Sequence, residues 1–320
     1  MTDITAQRAE GQPDPSFAVM RAAAMRRKRL TLLPSVIATL PLSVVAIGVF
    51  IIGIGFTVVW SFTSTKFFPT FDFVGLKQYS KLWSTPRWIV SVSHIWFYGL
   101  MQIGGSMIFG FVLAVFMDQR IRQEDTFRTI FLYPFALSLV ITGLVWQWVM
   151  DPNLGLEAAV QRMGWTSFHF APISDQRTAI YGMVLANIWN SAGVTMAILL
   201  AGLRGIDEEI WKATRVDGIP AGRAYIFIVL PMMRGAVATA LILLTVGVVR
   251  IFDLEVALTG GGPGTATRMP ASYVIDNINS RDVGQGMAAA TMMLIPVVAV
   301  LAFIALWRWA AARRAERLEN

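Results

Sequence analysis

Cysteine is absent from this 320-residue chain, histidine occurs only twice, and charged residues make up 15% of it. Without cysteine there is no disulfide framework, no thiolate metal site and no cysteine nucleophile. Soluble globular domains carry about 25% charged residues, so the low charge argues against an ordinary water-soluble enzyme. Hydrophobic residues reach 55% and the mean hydropathy is +0.58, which excludes a disordered chain, because such chains are poor in apolar residues.

Motifs for nucleotide hydrolysis and for two classes of hydrolase are also missing. No G-x-x-x-x-G-K-[ST] loop is present, so we expect no ATP hydrolysis by this chain itself. The H-E-x-x-H and G-x-S-x-G patterns are absent too, which argues against a membrane metalloprotease or a hydrolase of that type. The sequence predicts a protein that is not an enzyme.

The charged residues are bunched, and long apolar runs separate them. A helix needs about 20 mostly apolar residues to cross the hydrocarbon layer, and these runs do not alternate as barrel strands do. The predicted transmembrane helices lie near residues 35–62, 88–117, 129–150, 178–203, 228–250 and 283–307. The expected fold class is therefore all-α, a polytopic membrane bundle of six helices.

Lysine and arginine are distributed unevenly between the predicted loops. With the N-terminus placed in the cytoplasm, two thirds of the 27 basic residues fall on the inner side, which predicts that both termini are cytoplasmic. The pI near 10.0 is then mostly a topology signal, and nucleic-acid binding is not needed to explain it. The predicted parts are cytoplasmic tails at 1–30 and 311–320, a first span with its outer loop at 31–87, and a transmembrane core at 88–310.

The most informative inner loop lies at residues 204–225, between the fourth and fifth predicted spans. Asp207 is a suitable N-cap, and Glu208 and Glu209 follow in the first turn, where the helix dipole favours acidic side chains. Gly218 is placed to end this helix. A short helix between two spans can lie on the membrane, dock into a groove of a partner, or simply cover the bundle.

Two motifs resemble those of a known family. The D-G pair at 217–218, followed by I-V-L-P at 228–231, is similar to the cytoplasmic signature loop of permease subunits in binding-protein-dependent ABC importers. The F-D pair at 252–253 with L-T-G-G-G-P-G at 258–264 resembles an outer loop of carbohydrate permeases of the maltose and glycerol-phosphate type. The likeness covers about residues 88–310.

The resemblance implies the type I ABC importer permease fold and one permease subunit that carries a sugar or sugar derivative across the bacterial inner membrane by ATP-driven alternating access. Implied partners are a second permease subunit, two ABC ATPase subunits, a periplasmic sugar-binding protein and the lipid bilayer. ATP and magnesium would bind the ATPase subunits, so no cofactor or metal is expected in this chain. The alternative is a stand-alone ion-coupled secondary transporter, which would need buried carboxylates, and the six apolar runs contain none.

The resemblance places the contact with the ATPase on the short inner helix. The family has glutamate where this chain has Lys212, and alanine where it has Thr214. Two interpretations of Lys212 stay open: contact with an acidic or neutral groove of the ATPase, or extension of the side chain to lipid headgroups. The predicted coupling residues are Glu209, Trp211, Lys212, Ala213, Thr214, Asp217 and Gly218.

Asn187, Asn190 and Ser191 lie on one face of the fourth predicted span, at spacings i, i+3 and i+4. Amides beside Trp189 suit a sugar, because hydroxyl groups pair with amides and an aromatic ring covers the apolar ring edge. The alternative is that these residues hydrogen-bond across helices and hold the bundle together. The resemblance places substrate contacts near Asn187. Further candidates for the pathway are Tyr98, Gln102, Trp146, Gln147, Thr245, Arg250 and Asp253.

A stripe of small residues, Ser106, Gly110 and Ala114, runs along the second predicted span with a spacing of four. Such a stripe favours close helix packing. His94 in the same span is expected to face the bundle and to be hydrogen-bonded.

Overall fold

The computed structural model describes residues 38–66, 71–119, 122–296 and 298. Its described residues are mostly helical, with one isolated antiparallel bridge between Thr63 and Phe73, so the all-α prediction is confirmed. The helices are α1 Ala38–Trp60, α2 Lys77–Ser84, α3 Pro86–Asp118, α4 Glu124–Ala136, α5 Leu139–Val149, α6 Leu156–Arg162, α7 Ala179–Arg204, α8 Glu208–Val216, α9 Ala221–Met232, α10 Arg234–Val249, α11 Phe252–Leu258, α12 Pro270–Asn279 and α13 Val283–Pro296.

The chain divides after Val59 into two units. The first unit contains helix α1 up to that residue, a strongly apolar helix with a hydropathy of 2.6. The second unit begins at Trp60 and contains the other helices. The tails predicted at 1–30 and 311–320 lie outside the described residues, and the predicted boundary at residue 87 stays a prediction.

Three helices, α1, α3 and α7, are long and apolar enough to cross a membrane. The bent pairs α4–α5 and α9–α10 raise the number of spans to as many as five if each pair crosses once. Helix α13 is a shorter apolar helix that begins where the sixth span is predicted, and the end of that predicted span lies outside the described residues. The chain is thus a multi-pass membrane protein by length and composition, and the count of six spans stays a prediction.

The third predicted span is two helices, because α4 and α5 meet at 100° instead of forming one straight helix. Pro134 has no N–H for the helix ladder, and Leu137 and Ser138 adopt extended backbone conformations. The Ser138 hydroxyl then accepts a hydrogen bond from the Ile141 backbone N–H at 3.2 Å and caps α5.

The fifth predicted span is also broken, with a bend of 79° between α9 and α10. Pro231 removes another ladder N–H, and Met233 leaves the helical conformation at φ −87° and ψ 24°. Just before this break, Tyr225–Val229 forms a π-helical stretch. The two deviations from straight spans therefore both occur just after a proline.

Helix α7 is the central helix of the second unit, and 67% of its most apolar 18-residue stretch is buried. It packs against α3, α4 and α10. The predicted small-residue stripe lies at the contact with α3, where a Cβ on Gly110 would lie 2.6 Å from Cγ2 of Thr195. Ser106 and Ala114 of the same stripe are fully buried, so the prediction of close packing is confirmed.

Residues 251–282, between the fifth and sixth predicted spans, contain helices α11 and α12. Helix α11 packs against α5, where a Cβ on Gly143 would lie 2.6 Å from Cβ of Ala257. Helix α12 packs against α3. These two helices are therefore packed against the bundle through α5 and α3.

Candidate functional site

The polar face predicted on the fourth span is buried at the centre of the second unit. Asn187, Asn190 and Ser191 on α7 are 5%, 5% and 7% exposed. Burying an amide without a partner is costly, and each of these side chains does make hydrogen bonds. Their partners belong to three neighbouring helices, α3, α4 and α5.

Toward α3, the polar face makes two sets of contacts. The Asn187 amide donates to the Tyr98 hydroxyl at 2.5 Å. One turn further along α7, Ser191 lies 2.8 Å from the Ser106 hydroxyl and accepts from the Gln102 amide at 3.1 Å. The Gln102 Oε1 atom is buried and has no hydrogen-bond partner. Tyr98 and Gln102, predicted separately from α7, are thus brought together with it.

Toward the broken third span, Asn190 bridges the two helices α4 and α5. Its amide donates to the Pro134 carbonyl at 2.7 Å and to the Thr142 hydroxyl at 3.1 Å. The Pro134 carbonyl also accepts from the Leu137 backbone N–H at 3.2 Å, so Asn190 is its second donor. This geometry favours the interhelical interpretation for Asn190.

Trp189 and Trp146 form an aromatic pair beside this face. Their ring centroids are 5.9 Å apart and the planes meet at 77°, an edge-to-face arrangement that aromatic rings prefer. Trp189 is 36% exposed, and the indole N–H of Trp146 is buried without a partner. Trp189 is therefore partly exposed, whereas the unpaired Trp146 N–H is enclosed within the bundle.

The remaining pathway candidates are not brought into this cluster. Gln147 is exposed, and the Thr245 hydroxyl donates to the Leu241 carbonyl of its own helix. Arg250 and Asp253 are exposed, and in the described part of the chain neither forms an ion pair within 4 Å. His94 is half-buried with its ring Nδ1 3.2 Å from the Arg268 carbonyl, as predicted.

The sequence-based prediction of the site does not include a buried carboxylate on α11. Glu255 is fully buried and accepts a hydrogen bond from Ser272 of α12 at 2.5 Å, while its second oxygen has no partner. Burial raises the pKa of this carboxyl to about 7, although the Ser272 hydrogen bond acts in the opposite direction. Its spacing with Ile251 and Leu258, both buried, is the sequence signal that places Glu255 on the apolar face of the helix.

The glycine-rich loop after α11 has the backbone that its sequence requires. Gly260, Gly261 and Gly264 all have positive φ, between 61° and 87°, a region that side chains disfavour. A Cβ on Gly261 would lie 3.2 Å from the free oxygen of Glu255. Thr267 closes the loop by donating to the Gly262 carbonyl at 3.0 Å.

The short inner helix is present as α8. Asp207 occupies the N-cap position without a side-chain cap bond, and Glu208 and Glu209 lie in the first turn. The helix ends where predicted, because Gly218 has φ +67°. The predicted helix–turn geometry is therefore confirmed, apart from the cap bond expected of Asp207.

The predicted coupling residues divide between two faces of α8. Thr214 is buried and Trp211 is half-buried, so both face the bundle. Lys212 lies on the exposed face, where its Nζ is 3.5 Å from a Glu208 oxygen. Only the exposed face is available to a partner. It carries Glu209, Lys212, Ala213, Asp217 and Gly218.

Comparison with known proteins matches residues 106–318 to the family model of the binding-protein-dependent transport system inner membrane component. A probable ABC transporter permease protein of Pyrococcus horikoshii is 33% identical over 88% of this chain and 98% of its own. The trehalose/maltose transport system permease protein MalF of Thermococcus litoralis is 28% identical over 72% of this chain and 78% of its own. Among solved structures, a bacterial alginate ABC transporter in complex with an alginate-bound periplasmic protein matches with a TM-score of 0.68, 17% identity, and coverage of 88% of this chain and 94% of the other.

Proposed function

Because the chain belongs to the family of binding-protein-dependent transport system inner membrane components, we propose that it is one permease subunit of an ATP-driven importer for a sugar or sugar derivative. The structural feature that best supports this proposal is α8. It is a short helix between α7 and the broken α9–α10 pair, with one packed face and one exposed polar face. A helix of this kind provides a surface that a partner groove can hold.

The substrate class is supported by the relatives and by the chemistry of the polar face. The Thermococcus relative is named for trehalose and maltose transport. In this chain, Asn187, Tyr98 and Gln102 supply amides and a hydroxyl beside the half-exposed Trp189, groups that suit sugar hydroxyls and a sugar ring face. The pathway therefore runs along α3 and α7, and Asn190 holds the adjoining helices in place.

The partners follow from this role. Two ATPase subunits bind ATP and magnesium and receive the exposed face of α8. A second permease subunit completes the pathway, and a periplasmic binding protein delivers the sugar. The chain lies in the bacterial inner membrane with both termini in the cytoplasm.

Transport by the reconstituted complex tests the proposal. Proteoliposomes that contain this chain with its co-expressed permease and ATPase partners, together with the binding protein, should accumulate labelled trehalose, maltose, glucose or glycerol 3-phosphate only with MgATP. Complexes supplied with MgADP are the matched control. Uptake that needs no ATP and follows a proton or sodium gradient would overturn the proposal in favour of the ion-coupled transporter.

A further inference from the structure

Three aromatic rings, which we call the aromatic chain, contact one another in succession from α8 into the membrane bundle: Trp211, Tyr225 and Phe111. The Trp211 ring of α8 lies 5.2 Å from the Tyr225 ring of α9, at an angle of 60°. Tyr225 also contacts Phe111 of α3, with the ring centroids 6.3 Å apart and the planes at 82°. These contacts therefore join the consecutive helices α8 and α9 to α3, which is distant from both in the sequence.

These rings are packed against one hydrophobic cluster and are not isolated surface groups. Phe111, Trp211 and Tyr225 are partly buried against it. Its buried members come from α3, α7, α9 and α10, and include Met117, Leu199, Val229 and Ala240. Because close-packed interiors transmit displacement instead of absorbing it, a shift of Trp211 is passed to Tyr225 and Phe111.

Tyr225 also lies where the backbone of α9 departs from regular α-helical hydrogen bonding. It is the first residue of the π-helical stretch Tyr225–Val229. Such stretches are frequent at functional sites, and their hydrogen bonds differ from those of the α-helix on either side. A displaced Tyr225 can therefore move without unfolding the helix that follows.

A charged contact holds the base from which α8 projects. Arg204, the last residue of α7, lies 2.7 Å from a Glu124 oxygen of α4 and donates to the Met117 carbonyl of α3 at 3.3 Å. The end of α7 is thus tied to its neighbours, and α8 follows after Gly205, Ile206 and Asp207. The aromatic chain then provides a side-chain path from α8 to α3.

We propose that Trp211, Tyr225 and Phe111 are positioning residues that transmit the movement of α8 to helix α3. The inference rests on the proposed function, since it needs an ATPase that moves α8. Helix α3 also carries Ser106, Gln102 and Tyr98, which contact the polar face of α7. Phe111 and Tyr98 are about 20 Å apart along the helix, at 1.5 Å per residue, so the aromatic chain connects the ATPase contact with the polar cluster.

The absence of cysteine from the chain allows a direct test of movement in α3. Ile103→Cys, at a half-buried position of α3, serves as reporter in the complex with the ATPase and permease partners. Its rate of modification by a maleimide–polyethylene glycol reagent is measured as a gel shift of this chain, with and without MgAMP-PNP. In the native background, the nucleotide should change the rate several-fold.

Tyr225→Leu should abolish this response while leaving the nucleotide-free rate unchanged, because the ring contacts are lost but the cluster is still filled. Tyr225→Phe should retain the response, since the ring is kept. Trp211→Leu breaks the first contact and should act like Tyr225→Leu. The matched control is Phe127→Leu, which breaks an aromatic pair with Phe131 on α4, outside the chain of rings, and should respond like the native background.

Three outcomes would count against this inference, and the first of them leaves the proposed function intact. A Tyr225→Leu complex that still responds to nucleotide as the native background does would overturn the aromatic link and leave the permease role intact. A native complex that binds its ATPase subunits but shows no response to nucleotide at Ile103→Cys would count against both. An altered nucleotide-free rate in Tyr225→Leu together with a normal response in Trp211→Leu would also overturn the inference.

Discussion

Asn190 joins three helices through one amide group. It donates to the Pro134 carbonyl of α4 and to the Thr142 hydroxyl of α5, on either side of the break in the third span. From the sequence, its spacing with Asn187 and Ser191 predicts a shared polar face, and that prediction holds. The division of labour within the face was not predictable, because it depends on where the neighbouring helix is broken.

Asn190→Leu should destabilise the protein, because the Pro134 carbonyl and the Thr142 hydroxyl lose their shared donor in a buried site. The free energy of unfolding should fall by about 1–3 kcal/mol. The measurement is the unfolding temperature of the purified complex in detergent, which should be lower than that of the native complex. Thr142→Val removes only one of the two acceptors and should cost less. If Asn190→Leu unfolds at the native temperature yet transports poorly, Asn190 acts on the substrate and not on the helices.

Glu255 should make stability depend on pH. Its pKa is raised from 4.5 to about 7 by burial. Between these values, the folded state holds a proton that the unfolded state releases, so stability falls as pH rises through this window. Glu255→Gln cannot titrate and should gain stability relative to the native protein between pH 5 and pH 8, by up to about 3 kcal/mol.

The measurement for Glu255 is the difference in unfolding temperature between variant and native protein at both pH values. Asp253→Asn is the matched control, because Asp253 is an exposed carboxylate on the same helix and should leave the pH dependence unchanged. A difference for Glu255→Gln that stays constant from pH 5 to pH 8 would show that the carboxyl is already ionised at the lower value.

At the scale of elements, the end of α8 was predictable and the faces of α8 were not. Gly218 ends the helix in a left-handed conformation, as a glycine after an amphipathic stretch indicates. The sequence grouped Trp211 with Lys212 as ATPase contacts, but Trp211 packs on Tyr225 and only the opposite face is exposed. Which face packs depends on α9, a helix whose position the local sequence does not contain.

Gly218→Val should weaken the contact between α8 and the ATPase. Its φ of +67° costs a residue with a side chain about 1–2 kcal/mol, although no atom lies within 4 Å of a Cβ built there. The strain therefore acts on the turn after α8 and not on packing. ATPase stimulation and uptake by the complex should fall together, whereas Gly222→Val, which also meets no atom within 4 Å, should retain both.

Lys212→Glu should weaken assembly with the native ATPase. The reversal replaces the pair with Glu208, 3.5 Å apart, by a third acidic side chain beside Glu208 and Glu209 on α8. If the facing groove is acidic, as the lysine indicates, the like charges repel, and a basic substitution in the groove should restore the complex. Co-purification of the ATPase with this chain measures the effect. A yield that does not change would favour a lysine that extends to lipid headgroups.

At the scale of the whole molecule, the sequence predicts the positions of the three long apolar helices but not the bends in the other predicted spans. The positions of α1, α3 and α7 agree with charge-free runs, because the length of an apolar run is a one-dimensional property. The breaks near Leu137 and Met233 are not evident in hydropathy, since proline is tolerated in membrane helices when neighbours satisfy the freed backbone groups. One such neighbour is Asn190, and only the packed structure identifies it.

Each of the two bent pairs can either cross the membrane once or form a re-entrant pair, and experiment can distinguish these topologies. If α4–α5 and α9–α10 each cross the membrane once, reporter fusions should read inside at Gln123 and Ala221 and outside at Thr166 and Thr267. The positive-inside bias of the loops supports this assignment. A re-entrant pair returns to the side it came from, so Thr166 would then read like Gln123, or Thr267 like Ala221. Two reporters are fused at each site: alkaline phosphatase, which is active only outside, and green fluorescent protein, which is fluorescent only inside. A site is assigned to one side of the membrane when one reporter is active and the other is silent. These assignments decide whether each bent pair is a span.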